Sequence, residues 1–263
     1  MISYRKLAMR VLGHSPVSAV KTARRSTAKR AAALALTAAL VVGMTLPAFA
    51  DTWYIDDGDI SISAGTNGNN VTQGSTTKEN DTDTVIKSKD SSTASSNTVT
   101  IDADEGKTVN VTLDNVTINV DEGYEHGYDP NAYKTAVSVT GSGNTNIELN
   151  GNNTLTSGYG HAGLEHNKTD DSGTLTLQDE KNDDGSAKGS ASDTTGSLTA
   201  TGGYHSAGIG GSDKQDGQAT ITGGEITATG GNGAAGIGGG AGDTDAVGGD
   251  GDVTISGGTI TAT

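Results

Sequence analysis

Tyrosine is sparse in this chain, and three tyrosines recur at one place in a pattern. Tyr133, Tyr159 and Tyr204 each stand three residues before an alanine (Ala136, Ala162, Ala207), and Asn232 holds the same place before Ala235. His161 and His205 lie beside two of them. Rings repeated at one position form a column if the repeats stack. Such a column offers apolar faces with hydroxyl and imidazole edges, the chemistry on which a sugar ring rests. The same residues equally describe a ladder of rings that seals a turn, and residue type alone leaves both readings open.

A second recurring feature is acidic. Loops rich in carboxylates run from Glu165 to Asp171, from Asp213 to Asp216 and from Asp243 to Asp252, and Asp179, Glu180, Asp183 and Asp184 add to them. Oxygen donors without cysteine suit Ca²⁺, a hard cation. The candidate ligands are Asp213, Asp216, Asp243, Asp245, Asp250 and Asp252. A solvated acidic rim that prevents aggregation is the other reading of the same loops. Gly248-Gly-Asp-Gly-Asp-Val253 is similar to a β-roll calcium nonapeptide, but its sixth position is not Asp and nothing repeats every nine residues.

Motifs for catalysis are missing. Beyond residue 50 the chain contains no arginine, which excludes an arginine-based polyuronide elimination. No carboxylate pair stands out from the repeats as a hydrolase would require. The sequence holds no G-x-S-x-G, no zinc-protease helix motif and no phosphate-binding glycine loop before a helix. The expectation is a protein that is not an enzyme.

The elements that position these residues are read from internal repeats. Gly196-Ser-Leu-Thr-Ala-Thr-Gly-Gly returns as Gly224-Glu-Ile-Thr-Ala-Thr-Gly-Gly, an offset of 28, and Ala219-Thr-Ile-Thr-Gly-Gly returns as Val253-Thr-Ile-Ser-Gly-Gly, an offset of 34. Weaker copies begin at Val111 and Asn153, and the marker alanines are spaced 26, 45 and 28 residues apart. The long interval places an insertion at about 178–195. Each unit reads as three short strands, Ala219-Thr-Ile-Thr, Glu225-Ile-Thr-Ala-Thr and Ala234-Ala-Gly-Ile, with the period-2 alternation of half-buried strands. Gly-Gly supplies the corners. One unit cannot bury its own apolar face, whereas stacked units bury a continuous column. Leu198 with Ile226 and Ile260, Ile221 with Ile255, and Leu164 with Ile209 and Ile237 are the expected inward ladders. An all-β parallel β-helix (β-solenoid) with three strands per rung follows.

The ends differ from the repeats. Residues 1–50 carry eight basic residues, no acid, an apolar run from Ala31 to Met44 and small residues at Ala48 and Ala50. That is the form of a signal peptide cleaved after Ala50, with an apolar core too short to span a membrane. The protein is therefore expected to be secreted or at the cell surface, with no membrane insertion after cleavage. Removing the leader leaves nine lysines against 32 acids, a formal charge of −23. Such a surface repels nucleic acid and anionic lipid, so no nucleic-acid partner is expected. Residues 51–97 read as an N-terminal cap with strands at 57–63 and 84–87, separated by a polar stretch, Ala64 to Asp83, without a core-forming pattern. Residues 98–263 read as the rungs, and Thr263 ends inside a repeat, as in a chain truncated at its C-terminus.

The motif Ile-Thr-Ala-Thr-Gly-Gly followed by Ala-Gly-Ile-Gly-Gly-Gly, with Val-Thr-Leu-Asp-Asn-Val-Thr-Ile at the first rungs, resembles secreted bacterial carbohydrate-binding domain-containing proteins. The resemblance covers about 98–263. It implies a right-handed parallel β-helix that binds Ca²⁺ and an acidic polysaccharide such as polygalacturonate without cleaving it. Similar repeats occur in adhesin-like surface proteins, which implies a structural stalk as the alternative. The expected partner is a polysaccharide or cell-surface glycan. Tyr133, Tyr159, His161, Tyr204 and His205 are its candidate contacts from the residue pattern, since the resemblance lies in the scaffold and transfers no site.

Overall fold

Alternation of small hydroxyl or amide residues with Ile, Val, Leu or Ala makes this chain a series of short strands, and the strands pair mainly in parallel. A computed structural model describes residues 51–121, 133–179, 196–242 and 247–263. The fold is all-β, with one short 3₁₀ turn at Ile55–Asp57 among the described residues.

The strands fall into three columns. The first contains, in order, Asp51–Tyr54, Thr84–Lys87, Thr108–Asp114, the beginning of Asn144–Thr156, Leu175–Asp179, Gly217–Ile221 and Gly251–Ile255. The second contains Thr117–Asn119, the end of Asn144–Thr156, Gly196–Thr201, Glu225–Thr229 and Thr259–Ala262. The third contains Ile60–Ala64, Val99–Ala103, Val137–Gly141, Leu164–Glu165, Ile209–Gly210 and Ile237–Gly238. From Thr108 onward the chain visits the first, second and third columns in turn, then returns to the first. Gly224 and Gly258, at φ of +89° and +85°, turn the corner between the first and second columns, a backbone state that glycine adopts without steric cost.

The expected ladders form. Leu198 pairs with Ile226 and Ile226 with Ile260, Ile221 with Ile255, and Leu164 with Ile209 and then Ile237. Leu164, Leu198, Ile209, Ile221 and Ile226 join one apolar core from Trp53 to Ala228, Ile237 and Ile260 pack against it, and Ile255 is exposed. The third strand of the later rungs is shorter than its sequence suggests, only Ile237–Gly238 in place of Ala234 to Ile237. Leu164 also pairs with Val137, so Ala136 and Ala162 differ in register by one residue.

The stretch from Ala64 to Asp83 departs from expectation. Asn69–Gln73 and Thr76–Asp81 are strands that extend Ile60–Ala64 as an antiparallel meander at the end of the third column. Polar side chains take part in this packing. Asp81 is fully buried and accepts hydrogen bonds from Trp53 Nε1 at 3.2 Å and Thr84 Oγ1 at 3.0 Å, while its Oδ1 faces Lys78 Nζ at 3.8 Å. Buried Asn69 donates to Thr84 Oγ1 at 2.9 Å and to the Asn110 carbonyl at 2.6 Å. The core here is closed partly by hydrogen bonds, which hydrophobic periodicity does not reveal.

In the second column the outward residues are unusually uniform. Thr117, Thr154, Thr199, Thr227 and Thr261 align in one rank, and Asn119, Thr156, Thr201 and Thr229 align in the next. Thr263 continues the second rank, its Oγ1 lying 3.4 Å from that of Thr229.

Candidate functional site

The tyrosine column sits where the second column turns into the third. The turn Thr201-Gly-Gly-Tyr204 packs closely on the rung before, and a Cβ on Gly203 would lie 1.9 Å from the carbonyl oxygen of Gly158. Only glycine permits that approach. Main-chain hydrogen bonds from Gly203 N to the His161 carbonyl (2.9 Å) and from Gly160 N to the Tyr204 carbonyl (3.2 Å) lock the turns together.

The rings therefore stack at close to the strand spacing. Tyr159 and Tyr204 have centroids 5.1 Å apart and are nearly parallel at 16°, while Tyr133 and Tyr159 are 5.3 Å apart and tilted by 35°. His205 also stacks on Tyr204, with centroids 3.9 Å apart and planes 26° from parallel. Exposure grades along the stack. Tyr133 is 6% exposed and part of the interior, Tyr159 is half-buried, and Tyr204 is 42% exposed. A cleft of about 620 Å³ opens beside Tyr159 and Tyr204 and is completed by Gly202, Gly203, Gly231, Asn232 and Asp121. The expected contacts thus separate into an accessible end, Tyr204 with Tyr159 and His205, and a buried end at Tyr133.

His205 adopts φ +64°, whereas the equivalent turn positions are glycines, Gly160 at +80° and Gly233 at +79°. A side chain in that region is sterically costly. Stacking on Tyr204 offsets part of the cost, and His205 Nδ1 also lies 3.7 Å from Asp213 Oδ1.

His161 points to a separate polar cluster. Its Nδ1 is 2.8 Å from Thr135 Oγ1 and 2.9 Å from Glu165 Oε2, and Glu165 also receives the main-chain N–H of Ala162 at 3.3 Å and Asn167 Nδ2 at 3.3 Å. Hydroxyl and carboxylate address the same ring nitrogen, so they do not flank the imidazole as the two ends of a proton relay. Glu165 and the next residue, His166, are both buried. His166 Nδ1 lies 3.1 Å from the Gln218 carbonyl, which makes that nitrogen the donor, and burial pushes the imidazole below its ordinary value of 6.5. Glu165 opens the first acidic loop of the sequence, but neither it nor His166 stands among the candidate site residues read there. The available signal is a break in the repeat: Glu165 pairs with Gly210, which pairs with Gly238.

The acidic candidates do not converge. Asp213 lies between His205 and Lys214, its Oδ1 buried without a hydrogen bond and its Oδ2 3.7 Å from Lys214 Nζ. Asp216 Oδ1 accepts the main-chain N–H of Asp250 at 2.7 Å, and Asp252 accepts from Lys168 Nζ at 2.5 Å. That hydrogen bond to Asp252 is the main cause holding the exposed Lys168 ammonium above its ordinary value. Among the described residues no group of three or more His, Cys, Asp and Glu side chains is arranged to hold a metal ion. Asp243 and Asp245 lie outside the described residues, as do Glu180, Asp183 and Asp184.

Among the described residues no helix is long and apolar enough to cross a membrane. The chain matches no protein-family model, no curated protein and no solved structure.

Proposed function

We propose that this chain is a secreted, right-handed parallel β-helix that binds carbohydrate on its outer surface without cleaving it. The observation that carries the reading is the accessible end of the tyrosine column, where Tyr204 presents a ring that is 42% exposed beside a cleft of about 620 Å³. Tyr159 and His205 both stack on this ring, so a sugar meets its exposed edge, where the Tyr204 hydroxyl and the His205 imidazole offer hydrogen bonds. The columns of in-register parallel strands, visited in a repeating order, support the solenoid. The basic, then apolar, then small-residue leader supports export.

An acidic polysaccharide is the proposed ligand class, with Ca²⁺ as the bridge. A formal charge of −23 opposes a polyanion unless cations intervene. The exposed carboxylates of Asp216, Asp250 and Asp252, together with those of the glycan, would supply oxygen ligands. A structural stalk is the second reading. The burial of Tyr133 favours it, because a ring inside the turn stabilises the stack and contacts no ligand.

Retention of residues 51–263 on immobilised polygalacturonate, with Ca²⁺ and then with chelator, tests the proposal. Retention that chelator removes and that Tyr204→Ala weakens, without release of sugar, is the expected result. A folded protein that passes through every glycan column unretained would overturn the binding reading in favour of the stalk.

A further inference from the structure

The threonine face of the second column has no part in the tyrosine site, although the two adjoin in the chain at Thr201-Gly-Gly-Tyr204. In-register parallel pairing repeats each rank about every 4.8 Å along the stack, and the two ranks stand two residues apart, about 6.6 Å along the strand. The result is a regular array of hydroxyl and methyl groups. Strand propensity alone does not explain it. The first column is built from the same kind of strand, yet only one of its outward ranks turns to threonine, in the later rungs (Asn110, Asn146, Thr176, Thr220, Thr254), while Thr112 aligns with Glu148 and Gln178 in the next.

Charge is the second observation. Outside the leader the chain has nine lysines and 32 acids, yet both threonine ranks are free of charge. The neighbouring outward rank, Asn152, Ser197, Glu225 and Thr259, has one charged member. A surface that avoids charge in so acidic a protein suits a partner that is itself uncharged and rich in hydroxyls. Thr199, Thr227 and Thr261 are exposed, and among the described residues their hydroxyls make no hydrogen bond to protein. Threonine is also stiff about χ1, so little side-chain entropy is lost when its hydroxyl is engaged.

We propose that this face is a calcium-independent docking surface for a neutral, extended polysaccharide lying along the stack axis. The rung repeat is close to the length of one sugar unit in an extended chain, so successive rungs meet successive sugars. The hydroxyls exchange hydrogen bonds with the sugar hydroxyls, and the methyl groups cover the apolar ring faces. The proposal extends the carbohydrate-binding reading but depends on neither Tyr204 nor metal.

The test is affinity electrophoresis of residues 51–263 in gels containing a soluble neutral β-glucan or xylan, with chelator present throughout. Retardation of the parent is expected. Thr199→Lys with Thr227→Lys should weaken binding at least about tenfold, and Thr199→Val with Thr227→Val should weaken it less because shape is kept and hydroxyls are lost. Circular dichroism checks that each variant folds, and Tyr204→Ala should leave this retardation unchanged. Equal retardation of the lysine variant overturns the inference, as does the absence of retardation in any neutral glycan. A concentration-dependent dimer that the lysines dissociate would identify the face as a contact between two copies and also overturn it. Calcium-dependent retention on polygalacturonate, sensitive to Tyr204→Ala, reports separately on the tyrosine site.

Discussion

The first rungs and the last rungs close their cores by different means. Between Asp51 and Ala103 the interior is filled by Trp53, Ile55, Ile60, Ile62, Val71, Ile86, Val99 and Ile101, and the hydrogen-bonded set around Asp81 completes it. In the last rungs the corresponding positions are Ala228, Ile226 and Ile237, and Ile255 is 52% exposed. Ile226 and Ala228 are as fully buried as Ile62 and Ile101, so the two regions differ in side-chain volume and polar closure rather than in burial. Regular repetition specifies register, whereas side-chain volume and satisfied polar groups supply local stability.

The largest test of that contrast removes the buried carboxylate. Asp81→Ala leaves the buried Trp53 N–H and Thr84 hydroxyl without their acceptor, while Lys78 keeps its ion pair with Asp51, and is expected to cost about 4 kcal/mol in urea denaturation. At the far end, Asp252→Ala breaks only the exposed pair with Lys168 and should leave the urea midpoint nearly unchanged. Equal losses would contradict the division.

Core truncation comes next. Ile62→Ala should destabilise by about 3 kcal/mol, and Ile255→Ala by less than about 0.5 kcal/mol. Native-state hydrogen exchange reads the same contrast in the unaltered protein. The amides of Ile62 and Ile101 should exchange far more slowly than those of Thr254 and Ile260.

The tyrosine column offers an internal comparison. Tyr133→Ala removes a buried ring and should cost about 3 kcal/mol, while Tyr204→Ala should cost about 1 kcal/mol. If glycan retention follows stability in both variants, the exposed ring has no binding role of its own. Retention lost in Tyr204→Ala at nearly unchanged stability is the outcome expected of a contact residue.

The smallest expected effect is a pH dependence in the middle rungs. His166 is 2% exposed, and burial lowers its folded-state value below the ordinary 6.5. Below pH 6.5 the unfolded chain therefore binds this proton more readily than the folded one. Stability falls as pH drops from 6.5 toward the folded-state value, and the group adds no pH dependence above 6.5. Comparing urea midpoints at pH 7.5 and 5.5 for the parent and His166→Asn checks this, and an unchanged difference in the variant would assign the dependence elsewhere.

Much of the scaffold was legible. The strands at 217–221, 225–229 and 259–262 and the ladders through Ile226 and Leu164 follow from repeated motifs, because in-register stacking brings like residues together. The meander at Asn69–Gln73 and Thr76–Asp81 was not legible. Its closure depends on Asp81, Asn69 and Thr84 meeting across the rungs, and polar complementarity has no sequence period. Of the candidate site, the alignment of tyrosines could be read from their spacing, but their unequal exposure could not.

By itself the sequence determined an all-β chain, the repeat length, the placement of the glycine corners and an acidic, arginine-free body beyond residue 50. These follow from local alternation, backbone freedom and composition. Only the tertiary structure decided which tyrosine is covered, which acids pair with lysines and which threonines share one face. Those are relations between rungs, set by how one turn of the chain packs on the next, and no single rung carries them.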